Sequence, residues 1–152
     1  MPVKRTFYTD KAPEPKGPYS QAVICRGLLY LSGQIPVDLT SGELVRATIE
    51  EETEAVLENI KLIVEEAGAK MDNVLKVTCY LADIEDFARF NSVYGKYFTY
   101  HPPARTTIQA GRLPMDVQIE MDAIVALPII KKRPPRKPAL RSSSNKKTES
   151  SE

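Results

Sequence analysis

The chain has no tryptophan, one histidine and two cysteines. Each shortage removes a class of chemistry. A lone His101 cannot build a histidine-rich metal centre or a Ser-His-Asp triad, and its place before Pro102-Pro103 reads as a loop. Cys25 and Cys79 lie far apart, without metal-ligand spacing, and read as reduced, mostly buried thiols of a cytoplasmic protein. No apolar run approaches the roughly 20 residues of a membrane span. The opening Met-Pro-Val-Lys-Arg-Thr does not lead into the apolar stretch of a secretory signal. The glycine fingerprints that cradle dinucleotides or triphosphates are missing too.

What is present is ordinary for a globular domain. The chain has 152 residues, 42% hydrophobic and 27% charged, enough for one domain with a sizeable core. The charge is unevenly placed. Residues 131–152 carry eight lysines and arginines against two glutamates, and residues 1–130 carry thirteen basic against eighteen acidic side chains. The division is therefore a folded domain over 1–130 and a disordered basic tail over 131–152. The tail has too few apolar side chains to offset the entropy of ordering it. It can attract nucleic acid or an acidic partner, and Lys131–Lys137 has the composition of a nuclear-type signal. A solvated tail with no partner fits equally well.

Within the domain, Thr6–Thr9 reads as a short strand, and Pro13 and Pro15 impose an irregular loop. Gly17-Pro18 sets a turn that presents Tyr19. Ser20–Ile24 and Leu28–Ser32 read as a hairpin around Arg26-Gly27, followed by Gly33, whose missing side chain permits a close approach. Thr48–Ala67 predicts a helix, with Thr48-Ile-Glu-Glu51 as a capping box, an apolar stripe from Ile49 to Val64 and Gly68 as its stop. The glutamates at 50, 51, 52 and 54 read as a solvated face that complements the helix dipole. Val74–Ala82 predicts a strand. A second helix runs from Asp83 to about Tyr100, its aromatic stripe facing the core.

The last two strands, Arg105–Gly111 and Val117–Leu127, carry the chemistry. Arg105, Thr107 and Gln109 share one face of the first, and Gln118, Glu120 and Asp122 share one face of the second. If neighbouring strands bring Arg105 and Glu120 together, the arginine fork can hold a small carboxylate and the glutamate can act as acid or base towards a water. The element order implies an α+β domain, a mostly antiparallel sheet with two helices on one face. The half-polar face of the last strand suggests a contact between copies.

Gly17-Pro-Tyr-Ser-Gln21, Ser32-Gly-Gln-Ile-Pro36, Asn59, Lys76–Asp83, Asp86–Asn91, Pro103-Ala-Arg-Thr-Thr107 and Leu113-Pro through Val117-Gln-Ile-Glu120 together resemble the RidA/YjgF family of reactive-intermediate deaminases, over roughly residues 3–128. The resemblance implies a chorismate-mutase-like fold and a homotrimer with active sites between subunits. It implies hydrolysis of reactive 2-enamine and 2-imine acids, such as 2-aminoacrylate, to 2-keto acids and ammonia, without cofactor or metal. It further implies that Arg105 clamps the substrate carboxylate, that Glu120 handles the attacking water with Tyr19 nearby, and that Gly33, Asn91 and Thr107 shape the pocket. Thr107 departs from the cysteine that many bacterial members carry there. Some relatives are described as translation inhibitors or endoribonucleases, which makes RNA the alternative substrate. A ligand-binding member without catalysis is a third possibility.

Overall fold

The computed structural model describes residues 3–129. The basic tail expected over 131–152 lies outside them. Six strands and two helices follow in the order β1 (Arg5–Phe7), β2 (Ala22–Cys25), β3 (Leu28–Gln34), α1 (Ile49–Glu66), β4 (Val74–Leu81), α2 (Phe87–Tyr97), β5 (Ala104–Gln109) and β6 (Ile119–Ala126). They form one sheet in the order β1-β2-β3-β6-β4-β5. Only β4 and β5, which α2 connects, run parallel. The α+β architecture with two helices over a mostly antiparallel sheet is therefore the observed one.

Local sequence explains the joints. Arg26 and Gly27 both take positive φ, 50° and 75°, the mirror-image turn that matches the twist of the β2–β3 hairpin. Thr48 caps α1 as expected: its hydroxyl accepts from Glu51 N–H at 3.3 Å, and Glu51 Oε2 accepts from Thr48 N–H at 3.1 Å. Gly68, at φ 87°, ends the helix where a side chain would be strained. The second helix is shorter than its apolar pattern predicts. Asp83 accepts from Glu85 N–H at 2.9 Å and caps a 3₁₀ turn over Ile84–Asp86, and α2 proper runs only from Phe87 to Tyr97. The first strand is likewise displaced from Thr6–Thr9 to Arg5–Phe7, because Thr9 turns away to give its N–H to Gln21 Oε1 at 2.7 Å.

One core lies between sheet and helices. Val56, Leu57, Ile60, Ile63 and Val64 from α1 and Phe90 and Tyr94 from α2 pack against Leu29, Val77, Cys79, Leu81, Ile119 and Met121. Alternation puts Tyr30, Tyr80, Glu120, Asp122 and Ile124 on the other face of the sheet, half-buried or exposed, with no helix over them.

Candidate functional site

Arg105 sits on β5, the edge strand. It lies opposite Val77 in β4, a core residue, so its side chain points to the helix-covered face. There α2 encloses it. The guanidinium carbon lies 4.6 Å from the Tyr94 ring centroid and 5.4 Å from those of Phe87 and Phe90. Nη1 donates to Asn91 Oδ1 at 2.7 Å. Positions 87, 90, 91 and 94 fall on one helical stripe, so a single face supplies three π surfaces and one amide. The aromatic stripe is core, as its periodicity predicts, and also a cradle for the cation. Arg105 has five N–H donors, of which the described residues use one.

Thr107 follows two residues later on the same face, opposite Cys79. Its Oγ1 and the hydroxyl of Tyr94 are buried and have no hydrogen-bond partner among the described residues. An unpaired buried hydroxyl costs about 1–3 kcal/mol. Cys79 is fully buried, and burial pushes its thiol up to about 12, which keeps it from acting as a thiolate.

Glu120 is not where neighbouring strands would put it. The sheet order places β4 between β5 and β6, and Glu120 pairs with outward-facing Tyr80. Arg105 and Glu120 therefore occupy opposite faces of one sheet, and a single chain does not bring them together. A carboxylate oxygen of Glu120 rests over Gly33. A Cβ at that glycine would overlap Oε1 and stand 3.0 Å from Cδ. The β3–β6 ladder is irregular between Leu31 and Gln34, which admits this approach. Glu120 is held above the ordinary carboxylate range, first by burial and then by the charge of Asp122. Asp122 accepts from the Tyr80 hydroxyl at 3.1 Å.

Tyr19 stands out from the Gly17-Pro18 turn, 54% exposed. Its oxygen accepts from Lys16 N–H at 3.2 Å, so its own proton remains available for donation. Tyr19 and Gly33 border a cleft of about 650 Å³. Five expected site residues thus fall into two groups, Arg105, Asn91 and Thr107 on one side of the sheet, Glu120 and Gly33 on the other. Tyr19, through its cleft, joins the second. Among the described residues no three His, Cys, Asp or Glu side chains gather as a metal would require.

Sequence reasoning missed Glu52. It is 3% exposed, although the glutamate run reads as solvated. Its two oxygens accept from Gln118 N–H at 2.8 Å and Gln118 Nε2 at 2.9 Å, and the same Nε2 reaches Ala47 O at 2.8 Å. This clamp holds the chain two residues before Glu120. The signal lies in the spacing, since position 52 is three after Ile49 and four before Val56, on the apolar stripe.

The helix-and-sheet domain thus carries Arg105 on its helix-covered face and Glu120, beside Gly33, on the other. Residues 9–127 match the family model described as Endoribonuclease L-PSP. The chain is 51% identical over 121 residues to a RutC family protein of Pyrococcus abyssi, covering 80% of this chain and 95% of that one. It is 40% identical over 124 residues to Reactive Intermediate Deaminase A, chloroplastic, of Arabidopsis thaliana, covering 82% of this chain and 66% of that one. Among solved structures it is similar to E. coli TdcF with bound serine, at 38% identity and a TM-score of 0.75, covering 80% of this chain and 98% of that one. The chain belongs to this family, the RidA/YjgF family.

Proposed function

We propose that this chain hydrolyses 2-imino acids, in tautomeric equilibrium with their 2-enamines, to 2-keto acids and ammonia, as a 2-iminobutanoate/2-iminopropanoate-type deaminase. The observation that carries the reading is the caged guanidinium of Arg105, held by Asn91 and three rings with most of its donors unused. A planar fork of this kind suits a carboxylate bound at two points. The relative named Reactive Intermediate Deaminase A and the relative with bound serine support a small amino-acid-like substrate.

Water adds to the carbon of the protonated imine, its proton passing to Glu120. The C–N bond of the resulting carbinolamine then breaks: the carboxyl group of Glu120 returns its proton to nitrogen, which leaves as ammonia, and the hydroxyl proton passes back through the Glu120 carboxylate to that ammonia as the keto group forms, so that protonated imine and water give keto acid and ammonium. One water is consumed and one keto acid is released. A protonated imine is already electrophilic, so orientation and proton transfer are all that the site has to supply. A carboxyl group can take the proton in the first step and give it back in the second. Tyr19, whose hydroxyl keeps its proton free to donate, is assigned a hydrogen bond to the substrate. Because Arg105 and Glu120 face opposite ways in one chain, the working site takes Arg105 from one copy and Glu120 from the next, in a closed homotrimer acting in the cytoplasm.

The test is keto-acid release from 2-aminoacrylate generated in situ by a serine dehydratase, over the background without protein. Wild type accelerates release and Arg105→Ala does not. Acceleration that survives Arg105→Ala discards the clamp. The description Endoribonuclease L-PSP favours RNA as a second reading. In that case removal of 131–152 lowers RNA affinity through loss of a net +6 charge while leaving imine hydrolysis intact.

A further inference from the structure

Glu120 depends on its backbone for its place. Its side chain rests over Gly33 and engages in no hydrogen bond among the described residues. The backbone there is paired on one side only. Ile119 and Glu120 lie opposite Leu81 and Tyr80 of β4, whereas the β3 ladder stops at Gln34 opposite Met121 and leaves both without a partner. The chain also arrives from a turn in which Met115 and Asp116, neither of them glycine, take positive φ of 57° and 55°. Such backbone persists only where its surroundings hold it.

Glu52 supplies that hold. Its carboxylate, 3% exposed, accepts from Gln118 N–H at 2.8 Å and from Gln118 Nε2 at 2.9 Å. The carbonyl of Gln118 accepts from Ala82 N–H at 2.9 Å, and Nε2 also donates to Ala47 O at 2.8 Å. Residue 118 is thus tied to α1, to the segment before α1 and to the end of β4. A carboxylate taken out of water is costly. None of the ion pairs among the described residues reaches Glu52, so no cation offsets that cost. What the carboxylate brings is a fixed geometry two residues before Glu120, about 7 Å away along the strand. We propose that Glu52 is a positioning residue for the reaction: through Gln118 it fixes the start of β6, and with it the direction from which Glu120 meets the water and the substrate nitrogen. This role rests on the deaminase reading and adds to it a residue that touches no substrate. Arg105 is held separately, by α2, so the carboxylate clamp does not depend on Glu52.

The test separates kcat from KM in the hydrolysis of 2-aminoacrylate by the full chain, the amount of dehydratase setting the imine level. Glu52→Gln keeps the shape but loses one of the two acceptors. It lowers kcat about tenfold, as a small misplacement of a proton-transfer group does, and leaves KM within about twofold of wild type. Exchanging the pair, Glu52→Gln with Gln118→Glu, restores an acceptor for the N–H of residue 118 and an amide facing a carboxylate. It brings kcat back to within about threefold of wild type, a rescue that lost stability alone does not explain. Gln118→Ala, at a half-buried side chain, decides the matter if Glu52→Gln does not fold: it keeps the main-chain contact, and kcat falls severalfold with KM unchanged. Wild-type kcat in Glu52→Gln, or in Gln118→Ala where that variant decides, shows a contact that serves the fold alone and overturns the proposal. So does an exchange that leaves kcat as low as Glu52→Gln does. In these cases wild type still accelerates hydrolysis and the deaminase stands. No acceleration by wild type overturns both together.

Discussion

The two faces of the sheet hold their functional side chains in opposite ways. On the helix-covered face Arg105 is fixed by an amide 2.7 Å away and by three rings within 5.4 Å. On the open face Glu120 has no hydrogen-bond partner among the described residues and is limited only by burial, by Asp122 and by contact with Gly33. A rigid cation suits a clamp, which has to keep one geometry through the reaction. A loosely held carboxyl group with a raised pKa suits a proton carrier, which has to change state and move slightly as it does so. The fold separates these two proposed tasks by one sheet thickness, and in the proposed assembly a second copy brings them together.

The largest effects come from breaking either side. Arg105→Ala is expected to lower kcat/KM for imine hydrolysis about a hundred- to a thousandfold, because it removes a charge-assisted two-point contact. Arg105→Lys keeps the charge but loses the fork and falls between. Gly33→Ala attacks the other side with little damage to the fold, since the overlapping atom is the mobile end of Glu120. It is expected to lower kcat about a hundredfold, the lower part of what acid–base groups contribute, while melting within a few degrees of wild type. A loss of the same size in Tm and soluble yield would show that the glycine serves the fold alone.

Mixing tests whether the two faces meet across copies. Arg105→Ala and Glu120→Gln are each inactive in this reading. Unfolded together in equal amounts and refolded, they are expected to regain about a quarter of wild-type activity, because random assortment around a ring pairs an intact arginine with an intact glutamate in that fraction of sites. No recovery overturns the shared arrangement.

The elements were legible in the sequence to different depths. The β2–β3 hairpin, the capped helix α1 and the core-facing alternation of β6 rest on local rules, and Arg26-Gly27, Thr48–Glu51 and Ile119–Val125 obey them. The residues at the site were also legible, but their relation was not. Arg105 and Glu120 lie close in sequence on consecutive strands, which suggests adjacent strands. The intervention of β4 is a long-range fact of topology, invisible to any local pattern. Glu52 illustrates the reverse case. Its identity says surface and its spacing says core, and the spacing prevailed because Gln118 supplies two donors for its charge.

A smaller effect sharpens the description of the clamp. Asn91→Ala removes one hydrogen bond from an arginine that keeps its three rings. Activity is expected to fall about tenfold, mostly in KM, as loss of a single charge-assisted bond implies. If the variant matches wild type, the rings alone hold the guanidinium.

The smallest effect is on stability and is set by pH. Glu120 titrates above its ordinary range in the folded chain. Well below that range both folded and unfolded chains are protonated at this position, and it contributes nothing. As pH rises, the unfolded chain releases its proton first while the folded chain still holds one, so stability is lost until the raised value is passed and then stays lower. Glu120→Gln removes the ionisation and is expected to raise Tm slightly at pH 8, with the gain gone below the ordinary glutamate range. A second copy works against this gain, because an Arg105 brought beside Glu120 favours its ionised form. The gain should therefore be greatest in dilute protein and shrink as assembly proceeds. A Tm difference that ignores pH in dilute protein would mean that Glu120 is not raised at all. A difference that follows pH but ignores concentration would leave the raised carboxyl group in place and remove the partner's arginine from its side.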